Sequence, residues 1–122
     1  MLVVDKEKYK MAIYEDRKQV HVQVIGFIKE NLVNEYLTDL KETSSKVQRS
    51  EYTFVVDATY QSPLPSKVAS GLGDTIMFYV SQGFKQYVIV NPKSKISRVQ
   101  VRNALESISY PGIVVDNVSQ IR

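Results

Sequence analysis

Few residues in this chain are of types that do chemistry, and their spacing decides most cases. His21 is the one histidine, and no acidic or hydroxyl residue stands at a spacing that would complete a catalytic couple with it. It reads as a surface or edge-strand histidine. No HExxH, CxxC or GxSxG stretch is present, so zinc and serine-hydrolase chemistry lack their residues. The absence of cysteine excludes disulfides, thiolate metal sites and cysteine nucleophiles, and it fits a reducing compartment. Asp57 closes an apolar run. In open α/β sheets ligands gather beyond the carboxyl ends of the strands, so Asp57 stands where function concentrates; fixing the loop that follows is its plainer role. Ser70-Gly71-Leu72-Gly73-Asp74 invites a phosphate-loop reading but has no following Lys-Ser/Thr, and Asp74 would repel phosphate. With no activated nucleophile and no acid–base pair, the chain reads as non-enzymatic, with no cofactor and no metal.

Two further groups have a spacing worth explaining. Gly71 and Gly73 fall in or near the start of a helical pattern, where each costs up to ~1 kcal/mol relative to alanine. They let this helix pack closely against the sheet, or they open its first turn to a partner backbone; close packing is the simpler reading. Lys95, Arg98 and Arg102 fall on one helical face, opposite Val101, Ala104, Leu105 and Ile108. That pattern describes a solvated face, or else a basic patch for an acidic protein surface or nucleic acid. Tyrosines are not interleaved with it, which argues against nucleic acid. A net charge of +3 is too mild to support nucleic-acid binding by itself.

The elements that must position these residues centre on 52–91. Thr53-Phe54-Val55-Val56 reads as a buried strand, and a loop with Pro63 and Pro65 follows. A helical pattern runs from near Ser66 to Gly83, and a second buried strand covers Gln86–Val90. Strand, helix and strand with short links form a βαβ unit, which demands a parallel pair and a right-handed crossover. Before it, Met11–Glu15 and Val20–Phe27 read as strands joined by the polar turn Asp16–Gln19, an antiparallel hairpin; Leu2–Val4 extends the first strand or frays. Leu32, Val33, Tyr36, Leu37 and Leu40 mark one face of a helix from about Lys29 into the forties. After Asn91-Pro92, Ser94 or Ser97 caps a third helix, Tyr110-Pro111-Gly112 ends it, and Ile113–Val115 is a last strand. The order β-β-α-β-α-β-α-β describes one α/β domain over 1–122: a mostly parallel mixed sheet of about five strands, an N-terminal antiparallel hairpin and about three helices.

No apolar run reaches the ~18 residues of a membrane span. MLVVDKEKYK carries charges where a signal peptide has its apolar region, so a cytoplasmic protein is expected.

These segments together resemble the STAS family, the anti-sigma-factor-antagonist-like domains. The resemblance rests on Phe54-Val55-Val56-Asp57, Ala69-Ser70-Gly71-Leu72-Gly73, the later Gly83 and Tyr87-Val88-Ile89-Val90-Asn91, and it spans roughly residues 10 to 116. It implies cytoplasmic regulation through protein contacts, with a switch kinase or similar partner. It also implies that Ser70, the serine before Gly-Leu-Gly, is the phosphoacceptor. A phosphate there would add nearly two negative charges at a helix start. Val68 and Ala69 replace the family's Asp-Ser, and the link from Asp57 to Ser70 is long and holds two prolines. In both respects the chain is similar to the STAS/SEC14-like branch, which implies apolar ligands or membrane-adjacent regulation.

The expected function is therefore a regulatory interaction module that binds a protein partner, or itself, through loop 58–66 and the start of the helix over 66–82. Leu64, Val68 and Leu72 would be its apolar anchors, and Asp57, Ser66 and Ser70 its polar points. The alternative is an apolar small molecule or lipid held between the central helix and the sheet, with Met77, Phe78, Tyr79 and Phe84 lining the cavity.

Overall fold

Each link between parallel strands of one sheet makes a right-handed crossover. If successive links all step the same way across the sheet, their helices must all fall on the same face. This chain meets that condition. Its structure, a computed structural model that describes residues 1–121, has six strands in one sheet, ordered as they occur in the chain. They are β1 (Leu2–Asp5), β2 (Tyr9–Tyr14), β3 (Gln19–Val24), β4 (Thr53–Asp57), β5 (Gln86–Val90) and β6 (Ile113–Val115). The β1–β2 and β2–β3 pairs are antiparallel, and β3 through β6 are parallel. The crossovers carry α1 (Glu30–Ser45), then α2 (Ser66–Ala69) and α3 (Leu72–Val80), then α4 (Lys95–Ile108).

The expected α/β fold is thus present, with the hairpin at its amino-terminal side and one strand more than the periodicity marked. The additional strand is β1, which pairs along β2 with an irregularity between Leu2 and Val4. The pivotal pairing is as expected: Phe54 lies beside Tyr87 and Val56 beside Ile89, in parallel register.

Alternation along the strands supplies two faces. Tyr9, Met11 and Ile13 of β2, Val20 and Val22 of β3, and Phe54 of β4 turn toward the helices. There they meet Tyr36 and Leu40 of α1, Ile76 and Tyr79 of α3, and Val101 and Ala104 of α4. Phe54 is fully buried, with ring centroids 4.9 Å from Phe84 and 5.5 Å from Tyr79. On the opposite face Val55, Val88 and Val90 form a smaller apolar strip, and Val115 and Ile121 of the carboxyl-terminal segment pack on it.

Three local expectations are corrected. The helix over 66–82 is not continuous: α2 ends at Ala69, and Ser70 and Gly71 separate it from α3. Its residues are apolar on most sides, so periodicity has no phase from which to locate a break. Gly73 packs closely, but against α4 rather than the sheet: a Cβ there would lie 3.1 Å from Ile108 Cγ2 and 3.2 Å from Ser107 Oγ. His21 is not on an edge, because β3 lies inside the sheet between β2 and β4.

Phe54 joins β4 to α3 and to the turn before β5, so its truncation leaves a cavity that none of them can close independently. Phe54→Ala is expected to cost about 3–5 kcal/mol, read from the urea midpoint at unchanged slope. A loss below about 1 kcal/mol would contradict this placement of the core.

Candidate functional site

The close approach at Gly73 draws α3 toward α4. On the other side, hydrogen bonds link α1 to the α3 segment only from Tyr36 onward. Tyr36 Oη lies 2.5 Å from Tyr79 Oη, and Ser44 Oγ donates to Gln82 Oε1 at 3.0 Å. The first turn of α1 is therefore left facing the α2–α3 break across a gap. The gap is a cavity of about 400 Å³ at the carboxyl ends of β3 and β4. Val24, Val56 and Ile89 of the sheet form its floor, Val33, Tyr36 and Leu37 of α1 one wall, and Leu72, Ile76 and Tyr79 of α3 the other. Leu64 and Val68 close it from the loop side. Gln61, Asp74 and Thr75 are the polar residues of the lining besides the two tyrosines.

The loop over this cavity is held at both ends. Gly26, with φ +71°, continues past β3 in a left-handed conformation that suits glycine. Its N–H donates to Tyr60 O at 2.9 Å, and its carbonyl accepts from Ser62 N at 2.8 Å. Gln100 of α4 then grips Leu64 twice. Its Oε1 accepts from Leu64 N at 2.9 Å and its Nε2 donates to Leu64 O at 2.8 Å, so a side-chain amide takes the place of a ladder partner. Outside the cavity, α1 is pinned to the hairpin. Tyr9 Oη donates to Asp39 Oδ2 at 2.6 Å, and Lys6 Nζ donates to the same oxygen at 2.8 Å. These two hydrogen bonds, Lys6 first, hold the Asp39 carboxyl below its usual range.

The two tyrosine hydroxyls are neutral, and Asp74 is the charged side chain of the lining. Burial pushes the Tyr36 phenol well above its ordinary value and the Tyr79 phenol up to about 12. Both remain protonated, and so hydrogen-bond donors, at neutral pH.

The expected partner residues fall into separate places. Leu64, Val68 and Leu72 come together on the cavity wall. Ser66 and Ser70 are exposed and do not line it; Ser70 Oγ donates to Lys67 O at 2.7 Å. Asp57 lies on the other face of the sheet, beside Gln23 in register and in a cleft with His21 and Tyr14. Its Oδ1 accepts from Thr59 N at 3.0 Å and Thr59 Oγ1 at 2.5 Å, so it fixes the loop and does not join the apolar anchors. Of the residues expected around an apolar ligand, Phe78 and Tyr79 line the cavity and Met77 and Phe84 do not. Met77 points to solvent, whereas Phe84 follows the left-handed Gly83 into the core beneath Phe54. Lys95, Arg98 and Arg102 line a shallow cleft between α4 and β6. Arg98 is engaged there by Asp116 at 2.9 Å.

Sequence reasoning missed Gly26, Tyr36 and Gln100 as site residues. Tyr36 falls on the marked apolar stripe of α1, where a tyrosine carries a hydroxyl that must find a partner; that hydroxyl was the available signal. Among the described residues no three His, Asp or Glu side chains come together as a metal site, and no helix is long and apolar enough to cross a membrane. No family model matches the chain, and no curated protein matches it.

His21 supplies a pH test of the second face. Its Nε2 lies 2.8 Å from Gln19 Oε1, and its ring meets Tyr14 edge-on at 4.9 Å. Burial, aided by Arg17, lowers its pKa to about 4. The unfolded chain takes up the proton near pH 6.5 and the folded chain does not until about 4. Stability from this group is therefore complete above about 6.5 and falls as the pH drops toward 4. His21→Gln is expected to flatten the decline in urea midpoint between pH 7 and pH 5; an equal decline in both chains would contradict it.

Proposed function

We propose that this chain is a non-enzymatic binding module whose cavity takes an apolar small molecule or the apolar end of a lipid. The observation that carries the reading is the cavity of about 400 Å³, lined by aliphatic and aromatic side chains with a few convergent polar groups. Ligand sites in proteins have this size and this lining. An occupant would remove apolar wall from water, at about 25 cal/mol per Å², without remodelling the sheet. The similarity to the STAS/SEC14-like branch points the same way, since that branch implies apolar ligands.

N-phenyl-1-naphthylamine, a neutral apolar fluorophore, tests this directly. Its emission is expected to rise saturably at one site per chain. Leu72→Glu puts a carboxylate on the cavity wall, where burial of a charge is costly. It should weaken binding by at least about tenfold, whereas Ser66→Ala leaves it unchanged. Absence of saturation, or an unaffected Leu72→Glu titration, would overturn the reading.

A second reading is favoured by one feature of the rim. Val33 and Val68 both line the cavity and yet are 38% and 41% exposed, so the mouth is bordered by apolar side chains. Exposed apolar surface with a polar rim suits a protein partner or a second copy. This supports a STAS-like regulatory contact, with Ser70 beside it as the phosphoacceptor. Replacing Ser70 and Leu72 with glutamate is then expected to abolish association, in sedimentation or pull-down, in a chain whose circular dichroism and cooperative melting show it still folded. Association that survives both charges would count against the contact.

A further inference from the structure

Tyr36 and Tyr79 both line the cavity, both are buried, and their hydroxyls hydrogen-bond to each other at 2.5 Å. A phenol carries one proton to donate and two lone pairs to accept. Two hydroxyls therefore bring two protons, and the bond between them uses one. Whichever tyrosine accepts still has its own O–H proton, and among the described residues neither hydroxyl makes a second hydrogen bond to the protein. Buried donors are ordinarily matched. Here the unmatched donor belongs to a pair on the wall of a space that can hold a guest.

We infer that the Tyr36–Tyr79 hydroxyl pair is the polar recognition point of the cavity, and that its ligand is an apolar molecule bearing an uncharged acceptor oxygen such as a ketone, ester or amide carbonyl. This rests on the binding reading above and names the ligand's chemical class. The charge balance of the wall excludes the nearest alternative. Asp74 is the one charged side chain lining the cavity, and it is negative. No cation lines the wall, Lys8 Nζ approaching only at its Gly26 end, and a carboxylate ligand would lose its hydration on entry. An aliphatic guest without oxygen would fill the space but leave the donor unmatched.

Three probes of nearly equal shape separate these cases: butylbenzene, 4-phenyl-2-butanone and 4-phenylbutanoate, titrated at pH 7 against the full chain and followed by NMR. The ketone is expected to bind about three- to tenfold more tightly than butylbenzene, the gain of one net hydrogen bond, and the anion most weakly. The variants have an unusual signature. In Tyr36→Phe or Tyr79→Phe the remaining hydroxyl loses its partner but keeps its proton, so each single variant retains the ketone preference. Only the double variant loses it, the ratio of ketone to butylbenzene affinity falling to about one. Should the double variant fold poorly, intermolecular NOEs from the ketone methyl to the Tyr36 and Tyr79 ring protons in the parent chain decide the matter. Their presence supports the assignment, and their absence in the bound complex overturns it. Equal affinity for ketone and butylbenzene refutes the acceptor and leaves the apolar cavity standing. Failure of all three probes to bind removes the cavity reading and this inference with it.

Discussion

The constraint that governs this molecule is the handedness of its parallel connections. From β3 to β6 every link moves one strand further in the same direction, so right-handed crossovers stack α1, α3 and α4 on a single face. A sheet wound in one sense has no reversal of strand order among its parallel strands, and hence no switch-point crevice of the kind where doubly wound sheets bind ligands. Space for a guest has to arise within the helix layer itself. It does so because three helices cover a sheet of six strands, and one pair of them is drawn together more tightly than the other.

That asymmetry comes from a single missing side chain. Gly73 lets α3 settle against Ile108 and Ser107 of α4, while α1 is pinned outward to the hairpin by Tyr9, Asp39 and Lys6. Between these two anchorages the Tyr36–Tyr79 contact spans the gap, and Leu64, held by Gln100, roofs it. The loop with two prolines is thus neither slack nor incidental. Its backbone hydrogen bonds go to Gly26 and to a glutamine side chain, and Leu64 is presented to the cavity while Tyr60, Pro63 and Pro65 stay exposed.

Much of this was legible in the sequence, for identifiable reasons. Thr53–Val56 and Gln86–Val90 are continuous apolar runs bounded by polar or Pro-containing segments, and such runs read as buried parallel strands. Ser94 before an amphipathic stripe marked α4, and its side chain does accept from Ser97 N at 3.3 Å. What escaped was set by tertiary contact. β1 exists because β2 offers an unpaired edge to Leu2–Asp5, which alone has no strand pattern. The α2–α3 break leaves no trace in a segment that is apolar on most sides. For the candidate site, Leu64, Val68 and Leu72 come together on the cavity wall because loop and helix start are neighbours in sequence. Asp57 lies apart from them, since strand alternation sends it through the sheet to the opposite face. Tyr36, Gly26 and Gln100 reach the site from three distant segments, and no local pattern announces that convergence.

Binding depends on a guest-accessible apolar space between α1 and α3, at one end of the core. Methyl-resolved carbon–proton spectra under xenon pressure test it most directly, because xenon enters apolar cavities without needing any polar contact. Shifts confined to the methyl groups that line the cavity, those of Leu37, Val56, Leu72 and Ile76 among them, with Val20, Val22 and Val90 unmoved, are the result expected. Uniform small shifts across the core, or none at the four cavity residues, would contradict it.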